Sequence, residues 1–195
     1  NGMIWFSMRG QESPNTVKQF TGRDVPVVVD PTMLLTPDEW RKVSRQPAWY
    51  RGEDYILTYF LGNRPNAAIQ QVANKSGLPS VNLLDEDVYD HYEFIWAIEH
   101  ASLIYTDSFH GTVFSILFQR PFVVCNRVGE EAVGKMSSRI DTLLSYFGLE
   151  GRRGTQKNNY LIDDPTHISY GDTQAVFQRE WKRADAYLRK ALNVK

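Results

Sequence analysis

The chain has 195 residues, 42% of them hydrophobic and 23% charged, with a formal net charge of -1. That balance supports a sizeable core in about one domain's worth of chain, and it excludes a charge field that would recruit nucleic acid or a membrane surface. Cys125 is the single cysteine, so a disulfide framework is ruled out and a reducing, cytoplasmic compartment is expected.

No apolar run reaches the roughly 18 residues of a transmembrane helix, and the opening NGMIWFSMRG lacks a signal peptide's layout. The first element is instead a short apolar strand over Met3–Met8, entered without preamble behind Asn1-Gly2. SPNTVKQF follows as a helix, Ser13 its cap and Pro14 its first position. VPVVVD (Val25–Asp30) is β-branched and stops at Pro31, a second strand. Thr36-Pro37 opens another helix with acids in its first turn.

YILTYFLG (Tyr55–Gly62) predicts a strand, RPNAAIQQVANKSG a helix closed by Gly77, and SVNLL a short strand. DHYEFIWAIEHAS is helical, with Phe94, Ile95, Ile98 and Ala101 at helical spacing. LIYT, HGTVFSILF and PFVVCN then read as strand, helix and strand, and inside the last of these Cys125 is a small core residue. SSRIDTLLSYFG is a helix capped by Ser137 or Ser138 and closed by Gly148. LEGRRGTQKNNYLID is a solvated loop, and DTQAVFQREWKRADAYLRKALN a long helix with a core-packing stripe of Val176, Phe177, Trp181, Ala184, Tyr187, Leu188 and Leu192.

Strands alternating with helices predict βαβ units: a doubly wound, mainly parallel, Rossmann-like α/β sheet spanning residues 1–195 as one domain. Ligands of such sheets bind where strand ends lead into helices. That rule directs attention to Thr106-Asp107-Ser108-Phe109-His110-Gly111, a polar knot between two apolar segments. Asp107 and Ser108 occupy the strand-to-helix turn, and His110 falls in the first helical turn, where unpaired amides and the helix dipole favour an anion. Gly111 permits close approach of a ligand or of backbone, and His110 is a proton donor near neutral pH. The constellation suits a small phosphorylated or carboxylated ligand. The competing reading has Asp107 or Ser108 merely capping the helix and His110 as a satisfied buried histidine.

Other chemistries find less support. Gly-x-Ser-x-Gly is absent, and a Ser108–His110 dyad fails because side chains two apart on a helix diverge. His91, His100, His110 and His167 show no zinc spacing, so no metal is expected. The acids of Asp85–Glu93 read as favouring a helix dipole, and the aromatics of AWYRGEDYILTYF as packing.

LIYTDSFHGTVFSILFQRPFVV resembles the Asp-Ser-Phe-His-Gly segment of the polysaccharide pyruvyl transferase family. DVPVVVDPTMLLTPDEW is similar to that family's strand ending in Asp-Pro-Thr-Leu-Leu, and SMRGQES to its Ser-Val-Arg-Glu segment, with Gly10 where an acid is usual. SSRIDTLLSYFGLEGR resembles its Arg-Ile-x-x-Leu-Leu helix, and the likenesses run in order over roughly residues 4–153. The resemblance implies a GT-B-like enzyme of two facing Rossmann-type domains, this chain being the C-terminal one and the N-terminal partner lying outside it.

It further implies transfer of an enolpyruvyl-derived unit from phosphoenolpyruvate to two hydroxyls of a surface-glycan sugar or its lipid-linked precursor. The setting would be the cytoplasmic face of the membrane, with no cofactor beyond the donor substrate. Under that resemblance His110 is the expected acid or phosphate contact. Arg9 and Arg139 match family arginines, while Asp107, Ser108 and Gly111 belong to the substrate-binding turn. Some relatives carry Arg-x-His where this chain has Ser108-Phe109-His110, so a basic residue elsewhere (Arg127, Lys135 or Arg139) is expected to compensate. The alternatives are a glycosyltransferase half binding a nucleotide-sugar, with Asp107 or Glu130-Glu131 at the ribose, and a binding module that needs its partner lobe for any turnover.

Overall fold

The computed structural model describes residues 5, 7–10, 13–85, 90–126 and 133–194, with the side chains of residues 13 and 133–137 outside that description. The chain divides into two compact units, residues 1–35, 134–149 and 170–195 in one, residues 36–133 and 150–169 in the other.

The second unit holds the sheet. Strands β1 (Ile56–Tyr59), β2 (Ser80–Asn82), β3 (Leu103–Thr106), β4 (Phe122–Cys125) and β5 (Arg153–Gly154) are all parallel, in the order β2-β1-β3-β4-β5. This is the flavodoxin-like doubly wound order, which reverses direction between β1 and β3. β3 and β4 are buried at every position, as near-continuous apolar runs require when both faces are covered.

Register separates the faces. Ile56, Leu103, Tyr105, Val123 and Cys125 share one face and pack with Ile69, Val72 and Ala73 of α3 (Asn66–Ser76). The other face belongs to α4 (His91–His100) and α5 (Phe109–Leu117), which pack together. Tyr55 reaches that side, its hydroxyl donating to the Ala97 carbonyl at 2.7 Å.

Helix ends follow the sequence signals. α2 (Pro37–Arg41) opens on a reciprocal Thr36–Glu39 capping box with Pro37 at its first position, worth about 1 kcal/mol. Asp90 caps α4 through the amides of Tyr92 and Glu93, and Gly77 closes α3 at φ 73°. Arg41 ties α2 to Glu99 of α4, and the Trp40 ring meets Phe114 of α5 edge-on at 5.1 Å.

Three sequence expectations are corrected in and around this unit. The loop after Leu149 supplies β5, because Val124 and Cys125 offer their free edge to Arg153 and Gly154. The Gly-Arg-Arg segment is not solvated: Arg152 is buried, donating to the carbonyls of Phe122, Pro165 and His167. The sixth helix, α6 (Val133–Phe147), begins before Ser137 and Ser138, so neither caps it.

In the first unit, α1 (Ser13–Thr21) is the helix expected, residues 3, 4 and 6 of the expected strand Met3–Met8 lie outside the described residues, and the strand expected over Val25–Asp30 is reduced to a bridge. Met8 and Val27 form one isolated parallel bridge, with Met8 N–H donating to Pro26 and Val28 N–H to Met8, each at 2.9 Å. Proline at 26 removes a donor where a longer ladder would need one. Val27, Val29, Met33, Ile140, Leu143 and Leu144 are buried. The last helix, α7 (Thr173–Leu192), seats Phe177 on Phe147 at 4.9 Å and donates from Trp181 Nε1 to the Leu34 carbonyl at 3.1 Å. Its stripe is only partly core: Ala184 is buried, while Trp181 is 43% and Leu192 69% exposed.

Candidate functional site

The turn from β3 into α5 is held by its own polar side chains. Thr106 Oγ1 donates to the Tyr59 carbonyl at 2.6 Å and accepts from Ser108 N–H at 3.0 Å. Ser108 caps α5, its hydroxyl accepting from Gly111 N–H at 3.2 Å. Asp107 is buried, and its two carboxylate oxygens accept the amides of Leu61 and Gly62 at 2.7 and 2.8 Å. The carboxylate therefore bridges the ends of β1 and β3, the point where the strand order reverses.

Gly111 serves the chain's own approach. A Cβ at 111 would lie 2.7 Å from Thr106 Oγ1, so any side chain collides with the hydroxyl that ties β3 to β1. The amides of Ser108 and Gly111 are taken up internally rather than held for a ligand. His110 is different: its ring is exposed in the first turn of α5, edge-on to Phe109 at 5.6 Å. An imidazole there is rigidly based and open to solvent, which fits a proton donor better than a core histidine.

The other unit gathers Arg9, Asp30 and Arg139. Asp30 is buried and caps the 3-10 turn Pro31–Leu34, accepting from Thr32 N–H at 3.1 Å and Thr32 Oγ1 at 2.8 Å. Arg9, exposed, pairs with the same carboxylate. Gly10 packs on Arg139, where a Cβ would lie 3.1 Å from Arg139 Cγ. Burial, and then the Arg9 guanidinium, hold the Arg139 pKa below the ordinary arginine value, against the opposite pull of Asp30. Two guanidiniums about one carboxylate favour an incoming anion.

Lys135 lies on α6 with its side chain outside the described residues, as Arg127, Glu130 and Glu131 are altogether. Asp107 is fully engaged by Leu61 and Gly62, which removes it as a free ribose acceptor. Cys125 is the core residue expected: burial, and then the Asp107 charge, push its thiol up to about 12. Sequence reasoning missed Arg64, in the loop that Asp107 clasps, where it meets Asn66 Oδ1 at 2.6 Å and Thr58 Oγ1 at 3.4 Å. The strand-then-proline pattern of Phe60–Pro65 marked that loop as a sheet-end connection, and the same rule used for His110 would have found it. Among the described residues no cluster of three or more His, Cys, Asp or Glu could hold a metal ion, and no helix is long and apolar enough to cross a membrane.

The parallel sheet, with its order reversing at β1 and β3 and an exposed histidine opening α5 beside that reversal, defines a doubly wound α/β protein. The family model of polysaccharide pyruvyl transferase matches residues 5–127, well over half of the chain, and the chain belongs to that family. The matched stretch contains Arg9, Asp30 and the whole turn from Thr106 to Gly111, and ends before Arg139. Neither the comparison with curated proteins nor that with solved structures gives a match.

Proposed function

We propose that this chain supplies part of the active site of an enzyme converting phosphoenolpyruvate and a glycan diol into a cyclic pyruvate ketal and inorganic phosphate. The observation that carries the reading is the exposed imidazole of His110 on a turn whose Asp107, Ser108 and Gly111 are held by hydrogen bonds. In this reading protonated His110 gives its proton to the methylene carbon of the donor, and the adjoining carbon becomes oxocarbenium-like. A sugar hydroxyl attacks that carbon and loses its proton. The bond to phosphate oxygen then breaks, and a second hydroxyl closes the ring. One hydroxyl proton replaces the one His110 gave, and the other leaves with phosphate.

Arg9 and Arg139 are the proposed partners of the donor's anionic groups, where bidentate guanidiniums suit both carboxylate and phosphate. Asp107, Ser108 and Gly111 fix the turn that presents His110. Arg64 is the proposed basic group standing in for the arginine of Arg-x-His relatives, with Arg127, Lys135 and Arg139 the other candidates. A second, N-terminal lobe completes the enzyme in this reading, and a surface polysaccharide or its lipid-linked precursor is the acceptor at the cytoplasmic membrane face.

Thermal shift tests the donor. Phosphoenolpyruvate should raise the melting temperature in a saturable way, and Arg9→Ala and Arg139→Ala should each weaken that response. Stabilisation by UDP- or GDP-sugars, with none by phosphoenolpyruvate, would favour the glycosyltransferase alternative instead.

A further inference from the structure

The loop after β5 holds a backbone outlier beside a cavity. Asn159 and Tyr160 take positive φ, 51° and 61°, a region asparagine tolerates and a bulky tyrosine rarely enters. The conformation is fixed from several sides. Tyr160 N–H donates to the Thr155 carbonyl at 2.7 Å, and the Tyr160 carbonyl accepts from the Tyr105 hydroxyl at 3.4 Å. Asn158 Oδ1 accepts from Thr155 N–H at 2.7 Å, while Tyr160, Leu161 and Ile162 pack on the α3 face of the sheet. Strain held this firmly is commonest where side chains are being presented to a ligand.

A cavity of about 460 Å³ opens there, lined by residues 65–68 at the start of α3 and by Gln156, Asn159 and Tyr160. That is within the roughly 300–1,000 Å³ of small-ligand clefts. Its lining carries no charged side chain. Three carboxamide residues (Asn66, Gln156, Asn159) and Tyr160 stand in its lining beside a proline and two alanines, and the surface turned to the cavity is more apolar than polar. Arg64 Nε donates to Asn66 Oδ1 at 2.6 Å, which orients that amide and leaves its NH₂ end to donate. Such a lining matches the hydroxyls and C–H faces of a neutral sugar ring and offers no counter-ion to phosphate or carboxylate.

We infer that this cavity is a saccharide subsite taking a neutral sugar unit of the acceptor, separate from the unit that reacts. The inference rests on the ketal-forming reading for the word acceptor, and on the cavity alone for the sugar. His110 stands on α5, on the sheet face opposite α3, so the cavity and the imidazole belong to different faces of the sheet.

The test is an NMR titration of the ¹⁵N-labelled chain with methyl glucoside, galactoside, mannoside and N-acetylglucosaminide, and with maltose, lactose and cellobiose. At least one neutral sugar should give saturable shifts centred on residues 65–68 and 156–160. Ala67→Phe, at an exposed position of α3's first turn, fills the cavity, and Gln156→Ala removes a carboxamide. Each should raise the sugar Kd 10-fold or more and leave the Kd for phosphoenolpyruvate within two-fold. Absence of saturable shifts, shifts centred elsewhere, or variants that bind sugar like the parent would overturn the subsite. Failure of phosphoenolpyruvate to bind would sink the donor reading and leave the sugar result standing.

Discussion

His110 and its neighbours show how one turn divides its labour. The ring faces solvent, while Asp107, Ser108 and Gly111 are consumed in holding the backbone under it. On the ketal-forming reading, His110→Ala in the full-length enzyme should lower turnover by about 100-fold or more; turnover equal to the parent's would remove His110 as the acid. Asp107→Ala should act the other way, on stability first. It takes the charged acceptor from the amides of Leu61 and Gly62 and empties a buried position, so denaturant unfolding should show a loss of about 2–4 kcal/mol. At Gly111 the collision with Thr106 Oγ1 at 2.7 Å predicts that Gly111→Ala costs about 1–3 kcal/mol. Less than additive loss in the Thr106→Ala, Gly111→Ala double variant would identify that contact as the cause. Cys125, its thiol pushed up to about 12 by burial, should resist iodoacetamide at pH 8 in the native chain and react once the chain is unfolded.

Among the elements, α4 carries a pH-dependent cap. Asp90 accepts the amides of Tyr92 and Glu93 and pairs with Arg45, and its pKa is lowered, first by the hydrogen bond from Glu93 N–H. A depressed folded-state pKa means the ionised cap stabilises above the unfolded aspartate value, and that contribution is lost as pH falls through the lowered one. Urea unfolding measured from pH 6 downward should show this slope, and Asp90→Asn, which caps without ionising, should flatten it. Capping and proline signals made α2 and α3 legible from the sequence, since each depends on residues within one turn of the helix end, and apolar spacing made α4 so. β5 was hidden because a two-residue strand has no periodicity to read. Its partner is set by the free edge of β4, and its glycine by Val123 Cγ1 and Cys125 Sγ, 3.0 and 3.2 Å from where a Cβ would stand. Arg152 looked solvated for a related reason: three carbonyls distant in sequence are what make its burial affordable.

For the molecule as a whole, alternation of strand and helix was enough to predict a parallel doubly wound sheet, because period and length separate the two element types without any tertiary information. The same pattern, with the sheet-end rule, picked out the His110 turn, and the likeness of four short stretches led to the family that residues 5–127 match. The sequence alone left open whether Asp107, Ser108 and His110 were ligands or scaffolding. All three are polar, all three suit a helix start, and local propensity treats capping and catalysis alike. Tertiary structure gave the three different surroundings, because only the pairing of β1 with β3 brings Leu61 and Gly62 to Asp107. Only the packing of α5 against β3 turns Gly111 inward and His110 outward, for a contact between distant segments has no signature in either segment by itself.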